Sequence, residues 1–536
     1  MLIDRRVLLD VGIRTRDICL GLVVVVLGNE ILHGVPRKEL PHLAVQLRGQ
    51  CLVWRQDNRR TLLAFNNTGH RKRLAGTRNT EQYLPGQSVI QALDESVNCG
   101  PLIARRTEGR DEIQAVAFRR LRLLGQMCCF TYHGFQLRGG KRVSLSVSKR
   151  MARVKPSPTS AVLALATRLK AEGRDIISLG TGEPDFDTPQ PIKDAAVAAI
   201  AAGETKYTPI DGTAELKAAI GRKLQRDNEL HYDPDQILVT SGAKQALFNL
   251  SLALLGPGDE TVIPAPYWVS YPDMVKLADA DPVFIETGID DDFKVTPLQL
   301  EEALNERTRL LILNNPSNPT GTCYSIAELQ AFETVLQRYP EVVIAADEIY
   351  EPIHWAEAPF GSFAQACPAL YDRTVTINGV SKAYAMTGWR VGYAAGSKDL
   401  INAMGTVQSQ STSNACSVSQ AAAKAALDGD QAVVADMAAE YRKRHDFLVA
   451  ALNEIPGFEC RRGEGTFYAF PRVTGALEAM GLADDVALTE RLINDGDVAV
   501  VPGSAFGAPG YIRLSFACSM ATLEEAVARI KRVVTA

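Results

Sequence analysis

From Lys155 to the C-terminus, short apolar runs alternate with stretches in which apolar residues recur every three to four positions. The runs IISLGTG (176–182), ILVTSG (237–242), TVIPAP (261–266), RLLILNNP (309–316), VVIAADEIY (342–350), TVTINGVSK (374–382) and RVGYAAG (390–396) read as strands. Residues 189–202 and 243–255 read as helices between them. Strands apolar on both faces and separated by helices predict an α/β fold: a mostly parallel central sheet with helices on both faces. Helical stretches at 417–427 and 432–452 follow. After them comes a smaller α+β segment: GTFYAF (465–470), a helix at 484–495, VAVVPG (498–503), YIRLSFA (511–517) and a closing helix at 523–534. The expected organisation is an arm and the start of a small domain over 147–190, a large domain over 191–430 and a small domain over 431–536.

Residues 1–146 break this rhythm. Short apolar runs alternate with Arg-rich patches (Arg59-Arg60, Arg71-Lys72-Arg73, Arg119-Arg120), without a sustained 3.6-residue period or regular strand alternation. Residues 1–150 hold 25 Lys and Arg, of which 21 are Arg, against 12 Asp and Glu; residues 151–536 hold 33 against 50. Three readings stand: an extra small domain, a disordered basic arm, or translated sequence upstream of a start at Met151. The Arg-heavy, Lys-poor composition favours the third, because unselected GC-rich coding sequence produces it.

Across the whole chain the net charge is −4, so no global basic excess points to nucleic acid. The apolar run Ile18–Gly28 is too short to cross a bilayer, and Asp4, Asp10 and Asp17 before it do not suit a signal peptide. The ten cysteines form no CxxC pair and no metal-ligand spacing, so neither a metal nor a disulfide framework is expected. A cytoplasmic protein with reduced thiols is the expectation.

Ligands of α/β folds bind at the carboxyl ends of the strands, and polar residues cluster there. After ILVT comes Ser241-Gly242-Ala243-Lys244, a small-residue turn opening a helix, whose N–H groups and dipole suit a phosphate. After VVIAA come Asp347 and Tyr350, and after TVTINGV come Ser381 and Lys382, with Arg390 beyond. Each has an ordinary reading as turn, ion pair or solvated surface. Together they suit one chemistry: a lysine that attacks an aldehyde needs a partly buried amine beside other cations. A pyridine acting as electron sink needs a carboxylate at its nitrogen, and a phosphate needs Ser, Arg and a helix N-terminus.

The segments GEPDFDTP, ETKYTP, PAPYWVSYPDM, NNPSNPTG, ADEIY and SKAYAMTGWRVGY, in this order and spacing, resemble the aspartate aminotransferase family, subgroup I-beta of the fold-type I pyridoxal-phosphate enzymes, over about residues 150–536. The resemblance implies pyridoxal 5'-phosphate as cofactor, with Lys382 as the lysine that bonds it and carries the proton. It implies Asp347 at the pyridinium nitrogen, Tyr350 and Asn318 at the phenolic oxygen and Trp268 stacked on the ring. Ser381, Arg390 and the Gly242-Ala243-Lys244 turn would hold the phosphate, with Tyr207 reaching the phosphate of a neighbouring subunit, so a homodimer is implied. Arg513 would clamp the substrate α-carboxylate with Asn318 and the backbone near Gly182, a task for a guanidinium fork.

Within the family the far end of the pocket sets the substrate. Lys244 matches the lysine that binds a distal carboxylate, which implies transfer of the amino group of L-aspartate to 2-oxoglutarate. Lys155 and Thr159, in VKPSPTSAV, match positions that contact prephenate in members that use it, although the family often has SAT where this chain has SPT. The rivals are an aminotransferase for alanine or aromatic amino acids, which Lys244 opposes, and a DNA-binding regulator with an aminotransferase-like sensor. For the latter, residues 1–150 show no helix-turn-helix pattern. Neither nucleic acid nor a membrane is an expected partner.

Overall fold

A computed structural model describes residues 147–536 except Ser157, together with the backbone of four strands between His42 and Arg73. The chain divides into two compact units, Met1–Arg142 and Val143–Ala536. In the first, β1 (His42–Leu47), β2 (Gln50–Arg55), β3 (Leu62–Phe65) and β4 (Arg71–Arg73) form an antiparallel meander in that order. Leu47 pairs with Gln50, Trp54 with Leu62 and Phe65 with Arg71. The sequence pattern gave no warning of it, because neighbouring antiparallel strands are held by local backbone pairing and need no long apolar period. The run Ile18–Gly28 and the pair Arg119-Arg120 lie outside the described residues.

The first strand of the second unit is β5 (Ile177–Ser178), and the unit carries a seven-stranded sheet. Its strands are β6 (Ile237–Thr240), β7 (Glu260–Ala265), β8 (Asp281–Glu286), β9 (Thr308–Asn314), β10 (Val343–Asp347), β11 (Thr374–Gly379) and β12 (Gly392–Ala395). They lie in the order β6-β12-β11-β10-β9-β7-β8, and all run parallel except β12, which is antiparallel to both neighbours. This is the expected mostly parallel sheet. IISLGTG is not part of it: β5 pairs instead with β14 (Val498–Ala499), after β13 (Tyr468–Ala469) in chain order. The strands β15 (Val501–Pro502) and β16 (Ile512–Ser515) complete a second small sheet, β13-β16-β15.

Both faces of the large sheet are covered. Leu238, Ile263, Leu310, Ile312, Val375 and Ile377 pack on one side with Leu247 and Leu250 of the helix Ala243–Leu254. Val262, Leu311, Leu313 and Ile344 pack on the other with Leu329 and Phe332 of the helix Ile326–Leu336. Each such side chain contributes about 2 kcal/mol by leaving water, so the strand positions are held firmly and only their carboxyl ends are open to chemistry. A further core gathers Ile177, Leu179, Leu448, Phe467, Leu514 and Ile530 around the small sheets. Among the described residues no helix is long and apolar enough to cross a membrane.

Candidate active site

The carboxyl ends of β6, β7, β9, β10 and β11 converge on a cavity of about 420 Å³. β10 lies at the centre of the sheet and ends in Asp347. Trp268 and Tyr271 follow β7, Asn318 follows β9, Ser381 and Lys382 follow β11, and Gly242, Ala243 and Lys244 follow β6; all line the cavity. The small sheets close it with Tyr468 from β13 and Arg513 from β16, and Gly182 and Thr159 line it too. Residues scattered from 159 to 513 in sequence thus share one cavity.

Its electrostatics are unusual for so buried a place. Lys382 is held down to about 8, first by burial and then by Arg513 and Arg390, against the opposing pull of Glu183 and Asp347. Its Nζ donates to the carbonyl of Gly182. The Asp347 carboxyl is pushed up to about 6 by burial, an effect reduced by the hydroxyl of Tyr271, the N–H of Ile349 and the Lys382 ammonium. Tyr271 donates to Asp347 Oδ2 at 2.5 Å, and its ring stands edge-on to Trp268 with centroids 5.3 Å apart. The hydroxyls of Tyr350 and Tyr468 lie 2.9 Å apart. An amine that loses its proton easily and a carboxyl that keeps one unless a cation arrives mark this cavity as a place for acid–base and nucleophilic chemistry.

One corner is shaped for an anion. Gly242 opens the helix Ala243–Leu254 with φ +84°, and a Cβ there would lie 2.5 Å from Arg390 Nη2. A side chain at 242 would therefore occupy the space between the helix N-terminus and the guanidinium. Arg390 itself has φ 55° and donates to the carbonyls of Thr387 and Ser241 at 3.0 and 3.2 Å. For a β-carbon residue the left-handed conformation costs about 1 kcal/mol, which the fold tolerates here to aim the side chain.

The opposite corner suits a carboxylate. Arg513 is buried; Nη1 donates to Asn318 Oδ1 at 2.9 Å and Nη2 to the Gly180 carbonyl at 2.8 Å, while Nε has no hydrogen-bond partner among the described residues. No acidic side chain among the described residues pairs with it. A buried guanidinium without a carboxylate is costly unless a ligand supplies one. Lys244 is a second cation, lowered by burial and by Arg390, with Nζ 4.8 Å from the centre of the Trp268 ring.

Two of the residues singled out in the sequence lie elsewhere. Lys155 lines an adjoining cavity of about 460 Å³, which shares Lys244 and Arg390 with the first. Tyr207 is 91% exposed and outside the cavity of its own chain. The sequence reading gave no role to Tyr271, Tyr468 or Glu183. Tyr271 stands inside PAPYWVSYPDM, and a tyrosine one helical turn beyond Trp268 was the signal available; Tyr468 was visible only as part of a strand. A larger cavity, about 590 Å³, lies beside His354 and His445. Three of its cations are already matched, Arg461 with Asp292, Arg462 with Asp446 and Lys294 with Glu328. Among the described residues no group of three or more His, Cys, Asp or Glu could hold a metal ion.

Known proteins share this arrangement of chain. The family described as aminotransferase class I and II matches residues 174–530. The aspartate/prephenate aminotransferase of Nitrosomonas europaea is 54% identical over 392 residues, covering 72% of this chain and 99% of that protein. The aspartate aminotransferase of Bacillus subtilis is 46% identical over 390 residues, covering 73% and 99%. Among solved structures, the aspartate aminotransferase from Rhizobium meliloti superposes with a TM-score of 0.71 at 46% identity, covering 73% of this chain and 99% of that one. The Thermus thermophilus aspartate aminotransferase with maleate gives 0.69 at 40% identity, covering 73% and 100%. With the family matched over most of the chain and relatives matched along nearly their whole length, this chain belongs to the aminotransferase class I and II family.

Proposed function

We propose that this chain is a pyridoxal-phosphate-dependent aminotransferase that moves the amino group of L-aspartate to 2-oxoglutarate, giving oxaloacetate and L-glutamate, and that it also aminates prephenate to arogenate. The observation that carries the reading is Arg513: a buried guanidinium, unmatched by any acidic residue among the described residues, in the same cavity as the buried pair Lys382 and Asp347. The relatives named for aspartate and prephenate, and the Thermus enzyme solved with the dicarboxylate maleate, support it.

The residues fit the cofactor. The space a Cβ at Gly242 would fill, between Arg390 and the helix N-terminus, suits its phosphate, with Ser381 and the N–H groups of Ala243 and Lys244 as further donors. Asp347 suits the ring nitrogen, because a cation there favours the ionised carboxylate that burial alone disfavours. Tyr350 and Asn318 suit the phenolic oxygen, Trp268 the ring face, and Lys382 the aldehyde carbon. Bound pyridoxal phosphate supplies the aldehyde that takes the substrate nitrogen and the protonated ring that accepts electrons from the substrate Cα.

The chain's own residues do the rest. Arg513, held by Asn318 and Gly180, grips the α-carboxylate with two parallel donors. Lys244 meets the distal carboxylate of aspartate, glutamate or 2-oxoglutarate. The lowered Lys382 Nζ exists partly as the free amine near neutral pH, and with the cofactor and substrate bound it would be the group that takes a proton from the substrate Cα and hands it on. Lys155 and Thr159 extend the pocket toward the ring of prephenate. Tyr207, 91% exposed on its own chain, reaches the phosphate of a second copy in a homodimer. The free thiols of Cys323, Cys367, Cys416, Cys460 and Cys518 fit a reducing compartment such as the cytoplasm.

Lys244 argues against a donor with a neutral side chain such as alanine or an aromatic amino acid, and a sensor would not need Arg513, unmatched among the described residues, beside Lys382. The test is direct: protein supplied with pyridoxal phosphate, L-aspartate and 2-oxoglutarate must release oxaloacetate, and borohydride reduction must fix the cofactor on Lys382. No oxaloacetate, or label on another lysine, overturns the reading; failure to form arogenate from prephenate removes that half alone.

A further inference from the structure

We infer that Tyr468 is a positioning residue that joins the two halves of the site: its ring face holds Arg513 in place for a carboxylate, and its hydroxyl turns the hydroxyl of Tyr350 into the cavity. The inference rests on the aminotransferase reading and adds a residue to it.

The placement begins with strand register. β13 and β16 are antiparallel, with Tyr468 opposite Ser515. Arg513 is two residues from Ser515, so it shares a face with Tyr468 on the diagonal, within reach of a long side chain. The Arg513 guanidinium carbon lies 4.3 Å from the centre of the Tyr468 ring and 4.8 Å from that of Phe506. It is held between two aromatic rings rather than by an acid. A carboxylate partner would have neutralised it and closed the site to substrate; aromatic faces hold the cation without matching its charge.

The other end of Tyr468 is equally placed. Its Oη abuts Gly182, where a Cβ would come within 2.8 Å of it, and it lies 2.9 Å from the Tyr350 hydroxyl, its one hydrogen-bond partner among the described residues. Both tyrosines are buried. A phenol taken out of water needs a partner, and here the partner is a residue proposed to touch the cofactor. Two hydroxyls facing each other can point either way. If Tyr350 is to donate to a cofactor oxygen, its own oxygen must accept from Tyr468, and the Arg513 cation above the Tyr468 ring favours that direction by making Tyr468 the better donor. Tyr468 then donates to Tyr350 and Tyr350 donates onward, a chain in which each bond strengthens the next. A core tyrosine chosen for packing alone would not need its hydroxyl at this spot.

Two variants separate the two ends. Tyr468→Phe keeps the ring over Arg513 and removes the hydroxyl; Tyr468→Leu removes both. The first readout is the pH midpoint of the visible absorption of the Lys382-bound cofactor, without substrate. A hydrogen bond donated to the phenolic oxygen stabilises negative charge there and so favours loss of the proton from the adjacent nitrogen; weakening it raises the midpoint. For Tyr468→Phe we expect an upward shift of about 0.4 to 1 unit, a kcat lowered by about two- to tenfold, and a KM for aspartate within about twofold of wild type. Tyr468→Leu should add a rise in that KM of about two- to thirtyfold, from the lost ring face. In a Tyr350→Phe background, Tyr468→Phe should move the midpoint no further. An unmoved midpoint in Tyr468→Phe, or an undiminished shift in the Tyr350→Phe background, overturns the inference while the aminotransferase reading stands. A wild-type protein that forms no such band with pyridoxal phosphate overturns both.

Discussion

Asp347 is ionisable, fully enclosed and joined to a neutral hydroxyl, so in the cofactor-free protein its charge is a burden. Its carboxyl is raised to about 6, above its value in an unfolded chain. The folded state therefore binds the proton more tightly, and the stability tied to this group is present at low pH and lost as pH rises from about 4 through 6. Asp347→Asn has no such burden: relative to wild type, the cofactor-free variant should gain about 2 kcal/mol between pH 4 and pH 7, read by urea unfolding at each pH. Activity should move the other way, by several orders of magnitude, since an amide cannot stabilise a protonated ring nitrogen. A variant within threefold of wild-type turnover would sink the ion-pair role. Lys244 yields a prediction of specificity rather than turnover. Truncating a buried charge pair costs about 2 to 5 kcal/mol, so Lys244→Ala should cut kcat/KM for aspartate at least about thirtyfold while sparing alanine. Lys155→Ala should lower prephenate use more than aspartate use, because Lys155 lies in the adjoining cavity and not in the one around Lys382. An unchanged aspartate-to-alanine ratio in Lys244→Ala means the dicarboxylate assignment fails.

At the scale of elements, the junction between β6 and the helix Ala243–Leu254 is the most constrained. Gly242 has φ +84°, and a methyl group there would meet Arg390 Nη2 at 2.5 Å. Gly242→Ala thus asks for backbone strain of about 1 kcal/mol and displaces the guanidinium from the anion corner. Retention of pyridoxal phosphate should weaken by at least about tenfold, measured as the dissociation constant by fluorescence titration, with the far-ultraviolet spectrum unchanged. Wild-type affinity would remove the phosphate from this corner. The same junction explains what the sequence made legible. β6, β9, β10 and β11 are short runs buried almost throughout on both faces, so each strand end, and the residue after it, could be placed without a structure. β8 was not read: DPVFIE is an edge strand with mostly exposed or half-buried residues, and it lacks the apolar run. The helix Ala214–Asn228 was not read either, since charged residues fill the gaps between Leu216, Ala219, Ile220 and Leu224. Tyr271 and Tyr468 escaped because their roles depend on what faces them, Asp347 across the cavity and Tyr350 across the small sheet. Local pattern locates an element; it does not reveal which tertiary neighbour a hydroxyl will meet.

At the scale of the whole molecule, the question is where the working protein begins. The second compact unit starts at Val143, ahead of the strand–helix rhythm that sets in at Lys155. The first described elements after it are already tied down. Arg150 pairs with Asp279 at 2.7 Å, and Arg153 pairs with Asp281 at 2.7 Å and donates to the Ala280 carbonyl at 2.8 Å, fastening the short helix Lys149–Ala152 beside β8. Exposed ion pairs are each worth less than about 1 kcal/mol, so they do not hold the fold together. What they fix is the path of the segment that carries Lys155 and Thr159 toward the cavities. A graded truncation separates these effects. Removal of residues 1–146 should leave the melting temperature within about 2 °C and aspartate turnover within about twofold, because neither the sheet nor any cavity residue is lost. Starting at Met151 removes the Arg150 pair but keeps Arg153, and should cost little more. Removal of residues 1–157 also takes Arg153 and Lys155 while leaving Lys382, Asp347, Arg513 and Lys244 in place. Prephenate turnover should then fall by about tenfold or more and aspartate turnover by much less, since a cation that serves only the larger substrate has gone. If the shortest deletion already abolishes folding or aspartate turnover, residues 1–146 belong to the enzyme's core. If the longest one lowers both substrates equally, the arm supports the fold rather than the choice of substrate.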